Sequence, residues 1–360
     1  MDIQHISVII GERVETNPEL LERLRPTLAS RNLKLLERLL QRSGAHSRRL
    51  SLPDKSPLQY LSEAYASIAE HGSEIEAVIH CSIARGVIEP SQAAIYAQHL
   101  GLHNAQAFDV SEACNGLVRG LQLAYALLRS GQVRGRVLLI SNEWFDVPHS
   151  PTEACFTADT GADLVTRFAG MTFGGAAALM LLGPSDNDSW RFKWTPDNSI
   201  ATRCTMALPN FHAFVPTEGL EDDEIPRIGA WEFCSDHRAL AQRGGRFPEW
   251  FTEEIQARTR ASDLLLVHSH SKLFWDRVLE PYDLPLPPLH LFPDYGNLGT
   301  ATIPVGLAHS YRAGLEEGRG TTYIAAAGGF SGGFLHFEQR APATVFAAGL
   351  APGPTAKKCA

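Results

Sequence analysis

The chain has 360 residues, 44% hydrophobic and 20% charged, an ordinary globular composition that suffices for two modest domains or one large fused one. A formal net charge of −8 without any basic block argues against nucleic acid as a main partner. The opening stretch MDIQHISVIIGERVETNPE lacks the basic start and long apolar run of a secretory leader, and no window approaches ~18 uncharged apolar residues; a soluble, cytoplasmic protein without a membrane span is expected.

In chain order, residues Asn17 to Arg49 read as helical and charged, an edge helix and loop rather than a third domain. Ala77 to His80 and Ala107 to Val110 are short β-rich runs. Asn115 to Arg129 is apolar on nearly every side, which predicts a helix buried on most faces. Arg136 to Ser141 and Gly175 to Leu182 read as buried strands, and the polar, turn-rich Pro184 to Ser189 as a link. Beyond the link, Asp263 to His268 is a strand, Leu289 to Phe292 a short strand, Ile303 to Leu315 a helix with Pro304 in its first turn, and Tyr323 to Ala327 a strand. The two series echo each other: strand, short strand, loop, buried helix, turn, strand. The expected fold is α/β, two pseudo-repeated halves (1–185 and 186–360) whose parallel strands are covered on both faces.

Six cysteines are present: Cys81, Cys114, Cys155, Cys204, Cys234 and Cys359. None forms a CxxC pair or a Cys/His cluster with zinc spacing, so no metal site is expected and most should be buried thiols. Cys114, in FDVSEACNGLVRG, stands at a strand–helix junction, where the helix N-terminus favours the thiolate, the nucleophile toward a thioester. His268 ends an apolar strand, where it could donate a hydrogen bond or move a proton, and His270 would share its face if the strand continued. Asn297 occupies the matching junction of the second half. The run from Ala327 to Gly333 offers backbone N–H groups close to a bound carbonyl.

These segments resemble the β-ketoacyl-ACP synthase III-like enzymes of the thiolase superfamily. The cysteine motif D-x-x-x-A-C-x-G is present as Asp109 to Gly116, and Y-G-N-x-x-x-A-x-I-P as Tyr295 to Pro304. G-G-G-F-x-x-G appears as Ala327 to Gly333, and F-G-D-G-A-G-A as Phe173 to Ala178. The resemblance implies a thiolase-like five-layer αβαβα fold and a homodimer. It implies that Cys114 takes the first acyl group and that His268 and Asn297 hydrogen-bond the second thioester's carbonyl. The Cys114 and Gly328 amides would form the oxyanion hole, and Arg42 and Phe330 would bind substrate. No cofactor is implied beyond the substrates, acyl-CoA or acyl-carrier-protein thioesters.

Several positions depart from the family pattern. Its H-Q-A-N segment reads here His268-Ser269-His270-Ser271. Its coenzyme A segment falls on Leu36 to Ala45, where Arg42 matches the arginine but Arg38 replaces the adenine-stacking Trp. Glu89 stands where an aromatic residue usually enters the partner's pocket; by resemblance to relatives that join two acyl chains, it would act across the dimer as base. Glu112 is a second carboxylate candidate that an arginine could neutralise instead. The leading expectation is Claisen condensation through a Cys114 acyl-enzyme in a specialised lipid or polyketide-type pathway. The alternatives are acyl transfer to a hydroxyl or amine, and a non-catalytic subunit of a heterodimer.

Overall fold

The computed structural model describes residues 1–215, 231–236, 240, 242, 249–258, 263–312, 320–328 and 331–350. Two large sheets dominate. The first is built from β1 (Asp2–Ile10), β2 (Ile75–His80), β3 (Gln106–Asp109), β4 (Arg136–Glu143) and β5 (Ala176–Gly183). The second is built from β6 (Arg191–Pro196), β7 (Leu264–Val267), β8 (Pro288–Leu289), β9 (Thr321–Gly328) and β10 (Ser331–Glu338). A last strand, β11 (Thr344–Ala348), returns to pair with β1.

Across the first sheet the order is β3-β2-β4-β5-β1, followed by β11; across the second it is β8-β7-β9-β10-β6. In each, three parallel strands are followed by one antiparallel strand and then by the strand that opens the series. The chain therefore draws the same diagram twice, and among the described strands only β11 crosses back.

Two helices separate the sheets: α4 (Gly116–Arg129) and α5 (Thr302–Arg312), preceded in the chain by α1 (Asn17–Leu24), α2 (Ser30–Ser43) and α3 (Pro57–Ala66). Leu117, Val118 and Leu121 of α4 and Val305, Leu307 and Ala308 of α5 share one core with Val8, Leu139 and Met180 of the first sheet and Leu266, Ile324 and Leu335 of the second. The face of α4 pressed between the sheets buries Leu117, Val118, Leu121, Ala124 and Leu128, which accounts for much of its apolar sequence, while Ala126 and Arg129 on the other side stay exposed. The outer faces are covered as well. Tyr60, Leu61 and Ala64 of α3 pack on Val78, Leu138 and Leu179. Phe251 and Ile255, with Trp275 and Leu279, pack on Leu265, Val267 and Tyr323. Successive residues of β7 thus serve opposite cores, as the period of two demands. The result is five layers.

Three elements differ from the sequence reading. β1, in a stretch for which the sequence suggested no strand, is a nine-residue strand paired on both sides by β5 and β11. The run from Leu289 to Phe292 stops being a strand at Leu289, because Pro293 starts a helical turn over Phe292–Tyr295. The segment Asn17 to Arg49 splits into α1 and α2. Thr16 caps α1 in a capping box with Glu19, and Ser47–Leu50 pairs with Arg13–Thr16.

The close approach of α4 to the end of β2 depends on glycine. A Cβ on Gly116 would lie 2.3 Å from the carbonyl oxygen of Cys81. Ala is the better helix former by about 1 kcal/mol, but a backbone oxygen in a packed sheet has nowhere to move. Gly116→Ala is expected to destabilise the protein by about 1–3 kcal/mol, the range for core overpacking. Urea denaturation midpoints check this; an unchanged or raised midpoint contradicts the packing argument.

Candidate active site

The ends of β3, β7 and β9 and the turn before α5 converge at one end of the paired sheets. The chain leaves β3 at Asp109 and reaches α4 through a tight junction in which Ala113, not a glycine, has φ of 45°. Such a conformation costs of order 1 kcal/mol and persists only where its surroundings impose it. Cys114 follows. Its amide nitrogen and that of Asn115 back onto Gly328 at the end of β9: a Cβ there would come within 3.0 and 2.9 Å of them. Gly328 is thus brought against the Cys114 junction, although 214 positions separate the two residues in the chain.

The thiol is half-buried, and burial pushes it well above the usual cysteine range, with Cys204 and Glu143 adding to the effect. This runs against the expectation that the helix N-terminus favours the thiolate at Cys114. The second sheet covers the junction, and desolvation outweighs the helix dipole. A neutral thiol gives up its proton only in company with a base or a developing charge.

His268 follows the last residue of β7. Its amide donates to Ala325 O at 3.0 Å, and its carbonyl accepts from Trp275 Nε1 at 2.6 Å, so its backbone is locked. The ring is buried. Nδ1 lies 3.4 Å from Thr302 Oγ1, and Nε2 has no partner among the described residues. The Thr302 hydroxyl hydrogen can serve Gly299 O at 2.9 Å or His268 Nδ1. When it serves His268, the imidazole proton resides on Nε2 and faces the site. Burial pulls the ring down to about 3, so the imidazole is neutral through the physiological range. His270 stacks beside it, centroids 5.6 Å apart, but packs against Phe274 and Trp275 instead of Thr302.

Asn297 is buried in the turn before α5. Its amide donates to Thr172 O at 2.8 Å, and its carbonyl accepts from Gly174 N at 2.9 Å. Oδ1 accepts from the Gly299 amide at 2.9 Å, which fixes the side-chain flip and leaves Nδ2 as the outward donor. Ser269 Oγ donates to Gly296 O at 2.5 Å, tying the histidine segment to this turn.

One residue that the sequence reading passed over holds these loops. Glu143, fully buried at the end of β4, accepts from Thr300 Oγ1 at 2.6 Å, Thr300 N at 3.1 Å, Ile83 N at 3.0 Å and Ala84 N at 3.0 Å. It joins the Asn297 turn to the segment leading to Glu89. A carboxylate two residues beyond the run RVLLIS was the available signal, because a buried charge needs donors.

The remaining candidates fall as follows. Glu89 and Ile88 lie on an exposed loop, Ile88 being 69% exposed, and within one chain Glu89 is not brought to Cys114. Glu112 forms a two-point pair with Arg119, Nε–Oε2 2.5 Å and Nη2–Oε1 3.0 Å, as an arginine-neutralised carboxylate would. Arg42 is exposed in the last turn of α2, where Ser43 O accepts from Ser271 Oγ at 3.4 Å beside the histidine segment. Arg38 is exposed on the same helix. Phe330 lies outside the described residues. Among the described residues no group of three His, Cys, Asp or Glu side chains is placed to hold a metal, and no helix is long and apolar enough to cross a membrane. A groove of about 960 Å³ lined by Arg191, Trp250, Tyr323 and His336 sits toward the Thr321 end of β9, opposite Gly328.

No protein-family model matches the chain. An acyl-CoA:acyl-CoA alkyltransferase of Xanthomonas campestris is 25% identical over 314 residues, covering 84% of this chain and 88% of the relative. A β-ketoacyl-[acyl-carrier-protein] synthase III of Halalkalibacterium halodurans is 24% identical over 323 residues, covering 83% and 86%. Crystal structures of Xanthomonas campestris OleA with lauric acid and lauroyl-CoA superpose with a TM-score of 0.74 at 20% identity, covering 94% of this chain and 98% of OleA. The fold is thiolase-like, as in OleA. Its relatives are ketoacyl-ACP synthase III-type proteins. The 3-oxoacyl-(acyl carrier protein) synthase III of Xanthomonas oryzae pv. oryzae has a TM-score of 0.74 at 19% identity. The five layers and the doubled strand order are therefore the expected ones.

The depressed His268 carries a stability signature. Between about 3 and its ordinary 6.5 the unfolded chain binds a proton that the folded chain refuses, so this residue makes stability fall as pH drops through that window. Urea midpoints at about pH 7 and about pH 4.5 are expected to differ less in His268→Asn than in the wild type. Equal differences contradict the neutral, buried imidazole.

Proposed function

We propose that the protein is a condensing enzyme that joins two acyl thioesters through an acyl-enzyme on Cys114, giving a β-ketoacyl product in lipid or polyketide-type biosynthesis. What supports this reading is the equivalent placement of Cys114 before α4, His268 after β7 and Asn297 before α5, with the Asn297 turn tied to the histidine segment through Ser269 and Thr302 and packed by Thr300 against Gly116. Relatives named for acyl-CoA and acyl-carrier-protein substrates support the substrate class.

In the first half-reaction, Cys114 Sγ attacks an acyl thioester carbonyl, and the departing coenzyme A or carrier thiol takes the thiol proton. The developing oxyanion is met by the amides of Cys114 and Gly328. In the second, the α-carbon of another thioester loses a proton or carbon dioxide, and its enolate oxygen is held by His268 Nε2–H and Asn297 Nδ2–H. The α-carbon attacks the acyl-enzyme, forms the carbon–carbon bond and releases Cys114. The neutral imidazole fits a hydrogen-bond donor better than a charged acid. Because the site lies between the sheets, these donors act in a low-dielectric surrounding.

We further propose a cytoplasmic homodimer of which each chain is two repeats, 1–185 and 186–360, with Arg42 and Phe330 toward the substrate. The exposure of Ile88 beside Glu89 supports insertion of this loop into the partner's site, where Glu89 would take the α-proton. The departure of Arg38 from the adenine-stacking Trp favours a carrier-protein donor over free acyl-CoA.

Intact-mass analysis after exposure to acyl-CoA and acyl-carrier donors should show one acyl adduct on the wild type and none on Cys114→Ala. Asn297→Ala should keep the adduct and lose condensation about 10²-fold or more, by analogy with loss of one transition-state donor. Glu89→Gln should likewise acylate but condense slowly when the second substrate is not a malonyl thioester. Absence of a wild-type adduct with every donor overturns the reading. If Asn297→Ala transfers the acyl group to a hydroxyl or amine at full rate, the carbon–carbon assignment is overturned.

A further inference from the structure

The two amides assigned to the oxyanion hole come from different repeats: Cys114 from the junction before α4, and Gly328 from the end of β9. Their separation is what the transition state reads, and nothing in either repeat alone sets it. Asn115, the residue after the nucleophile, crosses this seam. It is fully buried, and its Nδ2 donates to Ser331 O at 2.7 Å and lies 2.8 Å from Ser331 Oγ. Only Nδ2 can serve a backbone carbonyl, so the flip is fixed, and Oδ1 is left with no donor among the described residues.

Ser331 is the residue paired with Gly328 in the β9–β10 ladder. A bond from Asn115 to Ser331 is therefore a bond from the Cys114 turn to the strand pair that carries Gly328. A second link runs parallel to it. Ser331 Oγ donates to Glu112 Oε1 at 3.3 Å, and Glu112 is held by Arg119. The Arg119 guanidinium lies 3.5 Å over the ring of Trp194 on β6, and Gln122 Oε1 accepts from Arg119 at 2.7 Å and from Trp194 Nε1 at 3.1 Å. Residues 112 to 115, including the strained Ala113, are thus clamped to the second sheet from both sides.

Resting on the oxyanion-hole reading above, we propose that Asn115 is a positioning residue that sets the distance between the Cys114 and Gly328 amides through its hydrogen bonds to Ser331. It touches no substrate and moves no proton. Its contribution is to hold two donors from separate repeats at the spacing that the tetrahedral intermediate requires, and a misplacement of ~1 Å in such a site costs about 10²-fold in rate.

The test compares two reactions of the same thiol. Acylation by a thioester develops an oxyanion; alkylation by iodoacetamide does not. In Asn115→Ala, single-turnover acylation of Cys114 should slow by about 10-fold to 10²-fold while KM for the thioester and the rate and pH profile of alkylation stay at wild-type values. Ser331→Ala, which keeps the carbonyl acceptor, should show the same pattern to a smaller degree, and it carries the test if Asn115→Ala does not fold. Equal loss in both reactions, or a shifted alkylation pH profile, overturns the proposal, because Asn115 would then act on the thiol or on general packing. Unchanged acylation overturns it too. A wild type that is alkylated but never acylated points instead to failure of the condensing reading itself.

Discussion

Much of this architecture turns on one buried carboxylate. Glu143 stands at the end of β4, the parallel strand of the first sheet that lies beside antiparallel β5, with no exposure to solvent. Such a group is tolerable only with its oxygens satisfied, and four donors satisfy it. All four are supplied by loops, two from residues 83–84 and two from Thr300. The need to solvate one charge therefore specifies where two separate loops go. One of them carries Asn297 three residues before Thr300; the other leads to Glu89. The same charge adds to the burial that keeps the Cys114 thiol protonated. A hydrophobic residue at this position would pack well and leave both loops without an anchor.

The doubled topology explains why the site forms where it does. Two sheets of the same strand order face each other across α4 and α5, so the carboxyl ends of their parallel strands and the starts of their central helices meet at one end. Desolvation there acts on the two titratable groups in opposite directions, raising Cys114 and lowering His268, and both come to rest neutral. In the proposed reaction the charge that appears is then the substrate's own, and donors arranged for it need not reorganise.

Much of this was legible in the sequence, and the exceptions share a physical cause. The runs RVLLIS and DLLLVH announced central strands because a strand buried on both faces is apolar throughout. The all-round apolar helix after Cys114 announced its own burial between layers. β1 was missed because its polar start, with Gln4 and His5, masks a strand that β11 completes only at the far end of the chain. The resting state of Cys114 was misjudged because the helix terminus is local, whereas the cover that desolvates the thiol comes from the second sheet. The bond from Asn115 to Ser331 spans 216 positions, and no spacing rule reaches across that distance. Glu143 is legible in principle, since a carboxylate closing an apolar strand calls for donors.

Glu143, in the proposed reaction, assembles the site in which a Cys114 acyl-enzyme is attacked by a second thioester. Glu143→Gln keeps the shape but removes the charge that gathers the two loops. In this variant intact-mass analysis should still show the acyl adduct on Cys114, since losing a charge that raises the thiol does not remove the nucleophile. Formation of the β-ketoacyl product should fall by about 10²-fold as the Asn297 turn loses its place. A variant that acylates and condenses at wild-type rates would contradict the claim.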